Sequence, residues 1–207
     1  MLHLTDSLDR GIVLDEDRRR QYYAALAHET TRLHRLVESL LNFGRMEAGA
    51  FEYKFEPVDL AVLVGEVVAE FQKELASSGH HVELRTDRNL PSLRVDREAL
   101  GRALWNLLDN ALKYSPGRPA IWVDLAREEK RIVLRVRDQG PGIPVEEQKD
   151  IFDKFVRGSA ARASNVKGTG VGLATVRHIV RAHGGEVRVE SRPGDGSAFT
   201  IVLPAEG

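Results

Sequence analysis

Residues 120–138, AIWVDLAREEKRIVLRVRD, contain the pattern that decides the fold of this chain. Apolar and polar side chains alternate in 120–127 and again in 131–138, which is typical of strands with one face in a core. The charged EEK between them suits a tight turn. The stretch therefore predicts two strands joined as a hairpin.

Patterns on both sides of this hairpin extend it into a sheet accompanied by helices. Further strands are predicted at 81–86, 185–191 and 197–204. Helices are predicted at 59–77, from the capping residue Asp96 to about Lys113, in a short stretch at 145–152, and at 171–183. Helices segregated from a mixed, mostly antiparallel sheet give an α+β fold, a two-layer α/β sandwich.

Residues 14–48 differ from the rest because they contain no proline and a single glycine. Their apolar residues follow helical spacing. Asp15 suits the start of a helix, since a carboxylate favours the positive end of the helix dipole, and Gly49 suits its end. One long helix with an apolar seam is therefore predicted, which divides the chain into a helical region at 1–56 and a second domain at 57–207.

Composition excludes several classes of site. Among the 207 residues, 42% are apolar, enough for a packed core, and Lys+Arg (30) nearly balance Asp+Glu (31). The net charge of −1 gives no general attraction to nucleic acid or to an anionic membrane, so any phosphate must be bound locally. The chain has no cysteine, which excludes disulfides, thiolate metal sites and cysteine nucleophiles. No apolar run approaches the roughly 18 residues that span a bilayer.

Asparagine and lysine side chains share one face of the predicted helix that ends near Lys113. Asn106 and Asn110 are four residues apart, and Lys113 follows three residues later. A carboxamide oxygen is a hard ligand suited to Mg²⁺, which usually keeps waters and phosphate oxygens as its other ligands. The alternative is the polar end of a helix facing solvent, and this stretch alone does not decide between the two.

An acidic, glycine-rich loop, DQGPGIP at 138–144, follows directly after a predicted strand. Gly140 and Gly142 let the backbone turn sharply and approach a ligand closely. Asp138, at the end of the strand, could accept a hydrogen bond from an adenine amino group. An ordinary Gly/Pro turn is the commoner meaning of such a sequence and is favoured when the loop is taken in isolation.

A polar stretch at 156–169, without periodicity, predicts a mobile loop with distinctive residues at both ends. Before it, Phe152 and Phe155 are predicted to pack in the core. At its start, Arg157 is a candidate phosphate contact or, equally, an exposed surface arginine. After it, GTGVGL at 168–173 opens a helix, where free N–H groups and glycines form an anion site. No Gly-Lys-Ser/Thr follows, so this is not a P-loop, and it fits the dinucleotide fingerprint poorly.

Each of these stretches is weak alone, but together and in this order they resemble a known family. NLLDNALKYS, DQGPGIP, IFDKFVRG and GTGVGL resemble the N box, first glycine box, F box and second glycine box of sensor histidine kinases. The resemblance implies that 57–207 is an ATP-binding catalytic domain. RLHRLVESLLNFGRMEAG resembles the second helix of the dimerisation and histidine-phosphotransfer hairpin, which implies that 1–56 is part of that hairpin.

The resemblance implies a site for ATP and Mg²⁺. Asn110 would hold the metal, while Asn106 and Lys113 would be the catalytic residues on the phosphate side. Tyr114 would flank the adenine, and Asp138 would accept from its amino group. The other nucleotide contacts would be Gly140, Gly142, Arg157, Gly168, Thr169, Gly170, Gly172 and Leu173.

The resemblance also implies an activity and partners. Domains of this kind transfer the γ-phosphate of ATP to a histidine of the dimerisation domain in two-component signal transduction, beneath a lid formed here by 156–169. The implied partners are ATP, a second copy of the chain through the helical region, and a response regulator receiver domain, with no nucleic acid. The chain would be the cytoplasmic part of a sensor that is anchored in a membrane through segments outside it.

The phosphoacceptor motif of the family, His-Glu-x-x-(Thr/Asn)-Pro, is not found in the chain. His28-Glu29-Thr30-Thr31 imitates it, but no proline follows and the helical pattern continues without a break. We therefore expect His28 to be an ordinary helix-bundle histidine, and His3 has no motif context. The expected acceptor lies upstream of Met1, in which case this fragment binds ATP without phosphorylating itself efficiently but phosphorylates a supplied acceptor domain weakly.

Two kinds of alternative remain. Type II topoisomerases, chaperones of the ninety-kilodalton class and mismatch-repair ATPases share the superfamily, but they typically carry a catalytic Glu one turn before the metal-binding Asn, where this chain has Asn106. Anti-sigma-factor kinases have a similar domain but usually lack the hairpin helix. A non-enzymatic nucleotide-sensing or dimerisation module is the alternative from another class, and it would bind ATP without transferring phosphate.

Overall fold

The structure, a computed structural model, describes residues 15–75, 79–115, 117, 120–163 and 168–205. The chain divides into two compact units, Met1–Phe51 and Glu52–Gly207. The division falls at the start of FEYKFEPVDL, residues 51–60, five residues before the boundary predicted between 56 and 57. His3 lies outside the described residues.

A single helix, α1 (Glu16–Glu47, 32 residues), spans most of the described part of the first unit. Asp15 caps it, because its Oδ1 accepts the N–H of Asp17 at 3.1 Å and so satisfies a donor that has no partner within the helix. The helix ends at Ala48, and Gly49 follows with a φ of +67°, a left-handed conformation that glycine adopts without a Cβ clash. The predicted long helix and both of its boundaries are confirmed.

Several large apolar side chains of α1 are exposed to solvent: Tyr23, Val37, Leu40 and Leu41. A stripe of this kind is what a partner helix would cover. His28 lies within α1, but its side chain is outside the described residues. In the ranges that the structure describes, no helix combines the length and the apolar character needed to cross a bilayer.

The second unit is built on a five-stranded sheet in the order β2-β4-β5-β7-β6. β2 and β4 are parallel, and the other neighbours are antiparallel. A separate antiparallel pair joins β1 to β3. The strands are β1 (Glu56–Val58), β2 (His81–Thr86), β3 (Leu93–Val95), β4 (Ala120–Glu128), β5 (Arg131–Asp138), β6 (Glu186–Ser191) and β7 (Ser197–Pro204).

Helices cover one face of this sheet, so the predicted two-layer sandwich is confirmed. The core forms where alternate residues of β4, such as Ile121 and Val123, and apolar residues of α3, such as Leu107 and Leu108, are almost fully buried. α3 contacts α2, α5 and the central strands. The helices of the unit are α2 (Leu60–Leu75), α3 (Arg97–Tyr114), α4 (Ser159–Ala163) and α5 (Gly172–Ala182).

Some short elements depart from the sequence-based prediction. β1 and β3 have three residues each, too few to show an alternating pattern, and β1 contains Pro57. The single short helix predicted at 145–152 is two 3-10 turns, Val145–Glu147 and Asp150–Phe152. The second of these turns buries Ile151 and Phe152.

The segment predicted as a loop at 156–169 contains the short helix α4, so that prediction is wrong for Ser159–Ala163. Five residues are too few to show helical periodicity. The helix depends on a distant residue, because the Glu147 carboxylate accepts the N–H of Ser159 at 2.9 Å. That hydrogen bond lowers the pKa of Glu147 below its usual value. Residues 164–167 lie outside the described part of the chain.

Candidate nucleotide-binding site

Two helices, α3 and α5, pack against each other and run in opposite directions. The start of α3 meets the end of α5, where the Asp96 N–H donates to His183 Nε2 at 2.9 Å. The middle of α3 meets the start of α5, since a Cβ on Gly172 would lie 3.7 Å from Asn106 Oδ1. The two predicted motifs, NLLDNALKYS and GTGVGL, are therefore brought together.

Asn110 lies one helical turn beyond this contact, about 6 Å further along α3. It thus projects past the start of α5, where the first N–H groups of that helix point. The capping position of α5, Val171, makes no side-chain hydrogen bond to these groups, and the described residues show no other partner for the Gly172 and Leu173 N–H groups, which suits an anion site. The carboxamides of Asn106 and Asn110 are half-buried and have no hydrogen-bonding partner among the described residues.

Asp138 ends β5 beside the carboxyl end of α3. Its Oδ1 accepts the N–H of Gly140 at 2.7 Å and faces the Ser115 hydroxyl at 3.4 Å. Burial raises the pKa of the Asp138 carboxyl, and hydrogen bonds from Gly140, Ser197 and Ser115 only partly offset that rise. A partly buried carboxylate is suited to binding an N–H group of a ligand.

The glycines of the 138–144 loop are required by its close approach to other backbone. A Cβ on Gly140 would lie 2.6 Å from the Tyr114 carbonyl oxygen, and one on Gly142 would lie 1.9 Å from the Arg192 carbonyl oxygen. Gly142 also has a φ of +74°. The loop is therefore fixed between the end of α3 and the turn before β7, which places Tyr114 next to Asp138.

A backbone contact joins the two ends of the predicted lid. The Phe155 N–H donates to the Gly170 carbonyl at 2.9 Å. Gly170 has a φ of +71°, and a Cβ there would lie 2.8 Å from the Phe155 carbonyl carbon. By contrast, Gly168 is exposed and has nothing within 4 Å of its Cβ position, and Thr169 beside it is half-buried.

The two phenylalanines beside the lid behave differently, which corrects the prediction that both pack in the core. Phe152 is buried and meets the Phe199 ring edge-on, with centroids 6.2 Å apart. Phe155 is 66% exposed and has a φ of +64°, which is uncommon for a bulky residue. The Phe155 N–H is bonded to the Gly170 carbonyl, and with this backbone conformation the ring lies outside the core.

Two predicted phosphate contacts are engaged within the protein. Lys113 forms an ion pair with Asp109, one turn earlier on α3. The Arg157 guanidinium donates to the carbonyl of Ala161, the middle residue of α4, at 2.6 Å. Each cation would have to exchange or share this partner to reach a phosphate. The Asp109 pairing follows from its i, i+4 spacing and could have been predicted, whereas the Arg157 contact depends on α4.

Sequence reasoning also missed Ser115 as part of the site. It is almost fully buried, and its hydroxyl is the side-chain partner of Asp138. Its place at the end of the NLLDNALKYS stretch, one residue after Tyr114, was the available signal. Among the described residues, no cluster of three His, Asp or Glu side chains could hold a metal ion by itself. A metal at Asn110 would therefore need oxygen ligands from a bound nucleotide or water.

Comparison with known proteins identifies the family of this chain. The family of histidine kinase-, DNA gyrase B- and HSP90-like ATPases matches residues 95–207, more than half of the chain. The chain belongs to this ATPase family. The match contains every predicted nucleotide-binding residue, from Asn106 to Leu173.

The relatives of this chain extend the match into the first unit. The sensor-like histidine kinase SenX3 of Mycobacterium tuberculosis is 36% identical over 194 residues, which cover 92% of this chain and 46% of that protein. The sensor histidine kinase WalK of Bacillus subtilis is 31% identical over 205 residues, covering 96% and 33%. This chain thus spans less than half the length of these relatives. The predicted resemblance to sensor histidine kinases is confirmed.

A solved structure agrees with the fold. Full-length ShkA in complex with AMPPNP superposes with a TM-score of 0.75 at 28% identity, over 90% of this chain and 39% of that one. The ligand of that protein, AMPPNP, is an analogue of ATP.

Proposed function

We propose that this chain is the ATP-binding catalytic part of a sensor histidine kinase, which transfers the γ-phosphate of ATP to a histidine in two-component signal transduction. The observation that carries the proposal is the meeting of α3 and α5. There, the half-buried amide of Asn106 lies beside the start of a helix that begins at Gly172 and has no side-chain cap, and Asn110 follows one turn later on α3. Hard oxygen ligands beside free N–H groups suit a metal-bound polyphosphate.

The adenine end of the nucleotide is assigned to Asp138. Its carboxylate accepts a hydrogen bond from the adenine amino group, while Tyr114, at the end of α3, flanks the base. Gly140 and Gly142 hold the loop in place, as their close backbone contacts support. Recognition through a fixed carboxylate would favour adenine over guanine, whose corresponding position carries an acceptor.

The phosphate end is assigned to the α3–α5 contact. Asn110 holds Mg²⁺, which neutralises phosphate charge when bound, and Asn106 supports the phosphates from one turn earlier. The N–H groups of Gly172 and Leu173 donate to phosphate oxygens at the start of α5. Lys113 is the catalytic cation, and it exchanges Asp109 for phosphate when the nucleotide binds.

Residues 156–169 form the lid over this site. Gly168, Gly170 and Gly172 hinge the lid and meet the phosphates, and Arg157 contacts phosphate when the lid closes. The bond between Phe155 and Gly170 supports a fixed base for such a movement. Closure excludes water from the phosphates, so that transfer to the acceptor competes with hydrolysis.

The remaining assignments concern the protein to which the chain belongs. Residues 1–56 form part of the dimerisation and histidine-phosphotransfer region, and residues 57–207 form the catalytic domain. The exposed seam of α1 supports pairing with a second copy. The acceptor is a histidine other than His28, the partner downstream is a response regulator receiver domain, and the chain acts in the cytoplasm as part of a membrane-anchored sensor.

A binding and transfer experiment tests this proposal. The unmodified chain is titrated with ATP in the presence and absence of Mg²⁺, and then incubated with γ-labelled ATP and a supplied histidine-phosphotransfer domain. We expect magnesium-dependent binding and an acid-labile, base-stable label on the supplied domain. Asn110→Asp should change the magnesium dependence, whereas Glu98→Gln, an exposed residue on the same helix, should not.

Three outcomes would contradict parts of the proposal. Unchanged magnesium-dependent binding in Asn110→Asp would remove Asn110 as the metal ligand. Binding without any transfer would favour a nucleotide-sensing module over a kinase. Stable label on the chain itself that disappears in His28→Ala would make His28 the acceptor.

A further inference from the structure

The start of α3 and the end of α5 meet at a buried junction, at the opposite end of α5 from the proposed phosphate site. The junction consists of Asp96 and His183, with residues of the segment 52–58 around them. The Asp96 carboxylate accepts two backbone N–H groups at 2.8 Å, that of Ala99 in the first turn of α3 and that of Lys54 in the segment. Asp96 therefore caps α3 and holds the segment at the same time.

His183 connects this junction to α5. Its Nδ1–H donates to the Ile179 carbonyl at 2.7 Å, and its Nε2 accepts the Asp96 N–H at 2.9 Å. A backbone N–H can only donate and a carbonyl can only accept, so this pairing fixes a single neutral tautomer of the ring. Both His183 and Asp96 are buried, which makes the loss of either bond costly.

Aromatic rings from the segment 52–58 close the junction. The Tyr53 ring meets His183 edge-on at 5.6 Å and stacks on His178 at 6.4 Å, and Phe55 lies 5.0 Å from His183. The segment is thus attached to α5 by ring contacts and to α3 through the Lys54 N–H. It cannot shift along either helix without changing both attachments.

The same two helices form the proposed phosphate site at their other contact. α5 has 11 residues and is about 16 Å long, so a tilt at its His183 end displaces Gly172 relative to Asn106. The proposed contact between Asp138 and adenine does not depend on this movement, because Asp138 belongs to the sheet and not to either helix. Displacement of α5 should therefore affect phosphates more than adenine.

We infer that Asp96 and His183 are positioning residues, which set the α3–α5 contact at the phosphate end of the nucleotide site and couple it to the segment 52–58. This inference rests on the proposed function. Its chemistry is specific: the acceptor nitrogen of His183, not its bulk, holds the start of α3 in place. The segment and the bound polyphosphate are then linked, because each favours the same arrangement of the two helices.

The test compares ligands that differ only in their phosphates. Full-chain variants are titrated with ATP plus Mg²⁺ and with adenosine, at a temperature at which each variant is folded. We expect His183→Leu to weaken Mg-ATP binding about three- to tenfold, with adenosine binding unchanged. His183→Gln, whose side-chain oxygen can accept the Asp96 N–H, should remain within about twofold of the unmodified chain.

His178→Leu is the matched control, since it removes a histidine ring from the same helix and from the same tyrosine without touching Asp96. It should weaken Mg-ATP binding less than His183→Leu does, because it removes one ring contact of the segment 52–58 and keeps the bond between Asp96 and His183. Normal Mg-ATP binding by His183→Leu, equal weakening of both ligands, or failure of Gln to restore binding would each overturn the inference. Absence of Mg-ATP binding by the unmodified chain would instead overturn the proposed function.

A second measurement needs no variant and applies even if His183→Leu does not fold. Because coupling is reciprocal, Mg-ATP should slow amide hydrogen exchange at Asp96 and Lys54 in the unmodified chain, whereas adenosine should not. Unchanged exchange at both amides on saturation with Mg-ATP would contradict the coupling.

Discussion

Replacing Gly170 with alanine should disturb the base of the lid through the backbone alone. The residue has a φ of +71°, and its new Cβ would lie 2.8 and 2.9 Å from the carbonyl carbon and Cα of Phe155. These are backbone atoms, so no change of rotamer relieves the clash. A left-handed conformation in a residue other than glycine costs about 1–3 kcal/mol, and losing the Phe155–Gly170 hydrogen bond costs about 0.5–1.5 kcal/mol.

The two costs together lower the free energy of unfolding by about 1.5–4.5 kcal/mol if the rest of the fold stays in place. For a domain of this size, that corresponds to a fall in Tm of about 3–18 °C. If the lid rearranges locally instead, the global loss is smaller and the Phe155 amide loses its protection from hydrogen exchange. Thermal melts and exchange rates measured together therefore detect the change in either case.

Gly168→Ala is the matched control in the same segment. Gly168 has no positive φ and nothing within 4 Å of its Cβ position, so the substitution should change stability by no more than about 0.5 kcal/mol. The reasoning is refuted if Gly170→Ala melts with Gly168→Ala and the Phe155 amide stays protected.

Three further predictions concern the site. The fold raises the pKa of Asp138 above 3.8, so the protonated carboxyl stabilises the protein fully below that pH, and this stabilisation is lost as the pH rises through the folded-state pKa. ATP affinity should rise through the same range, because the ionised carboxylate is the stronger hydrogen-bond acceptor. Thermal melts and ATP titrations across this range should therefore show opposite trends, and Asp138→Asn should abolish both. Phe152→Ala should cost about 3–5 kcal/mol and Phe155→Ala less than about 0.5 kcal/mol in chemical denaturation, since only the former is buried. Gly172→Ala should leave the free energy of unfolding unchanged or raise it by up to about 1 kcal/mol, because alanine favours helix. The same variant should weaken Mg-ATP binding, because its methyl group would stand where the phosphates are proposed to approach. An unchanged affinity for Mg-ATP would contradict that placement.

The sequence predicted the elements that have periodic patterns and strong caps. α1 begins after Asp15 and α3 after Asp96, and both aspartates accept the N–H groups expected of a cap. The β4–β5 hairpin matches its prediction because alternating residues such as Ile121 and Val123 enter the core. These features are local, and a local pattern is enough to specify them.

Features that depend on distant residues were not predictable from one sequence. α4 depends on a carboxylate at Glu147, twelve residues before Ser159. The exposure of Phe155 depends on a backbone bond to Gly170, across the lid. Neither pairing leaves a periodic signal, so the sequence alone predicts that Phe155 packs in the core and that α4 is part of a loop.

The glycines of the site divide into two groups, and the division separates what the fold requires from what a ligand requires. At Gly140, Gly142 and Gly170, a Cβ would come within 3.0 Å of backbone atoms, so the fold alone excludes other residues. At Gly168 and Gly172, the space would accept a Cβ at ordinary distances. Stability therefore does not explain the glycines of the second group, which lie where a moving hinge and an approaching phosphate would need an uncovered backbone.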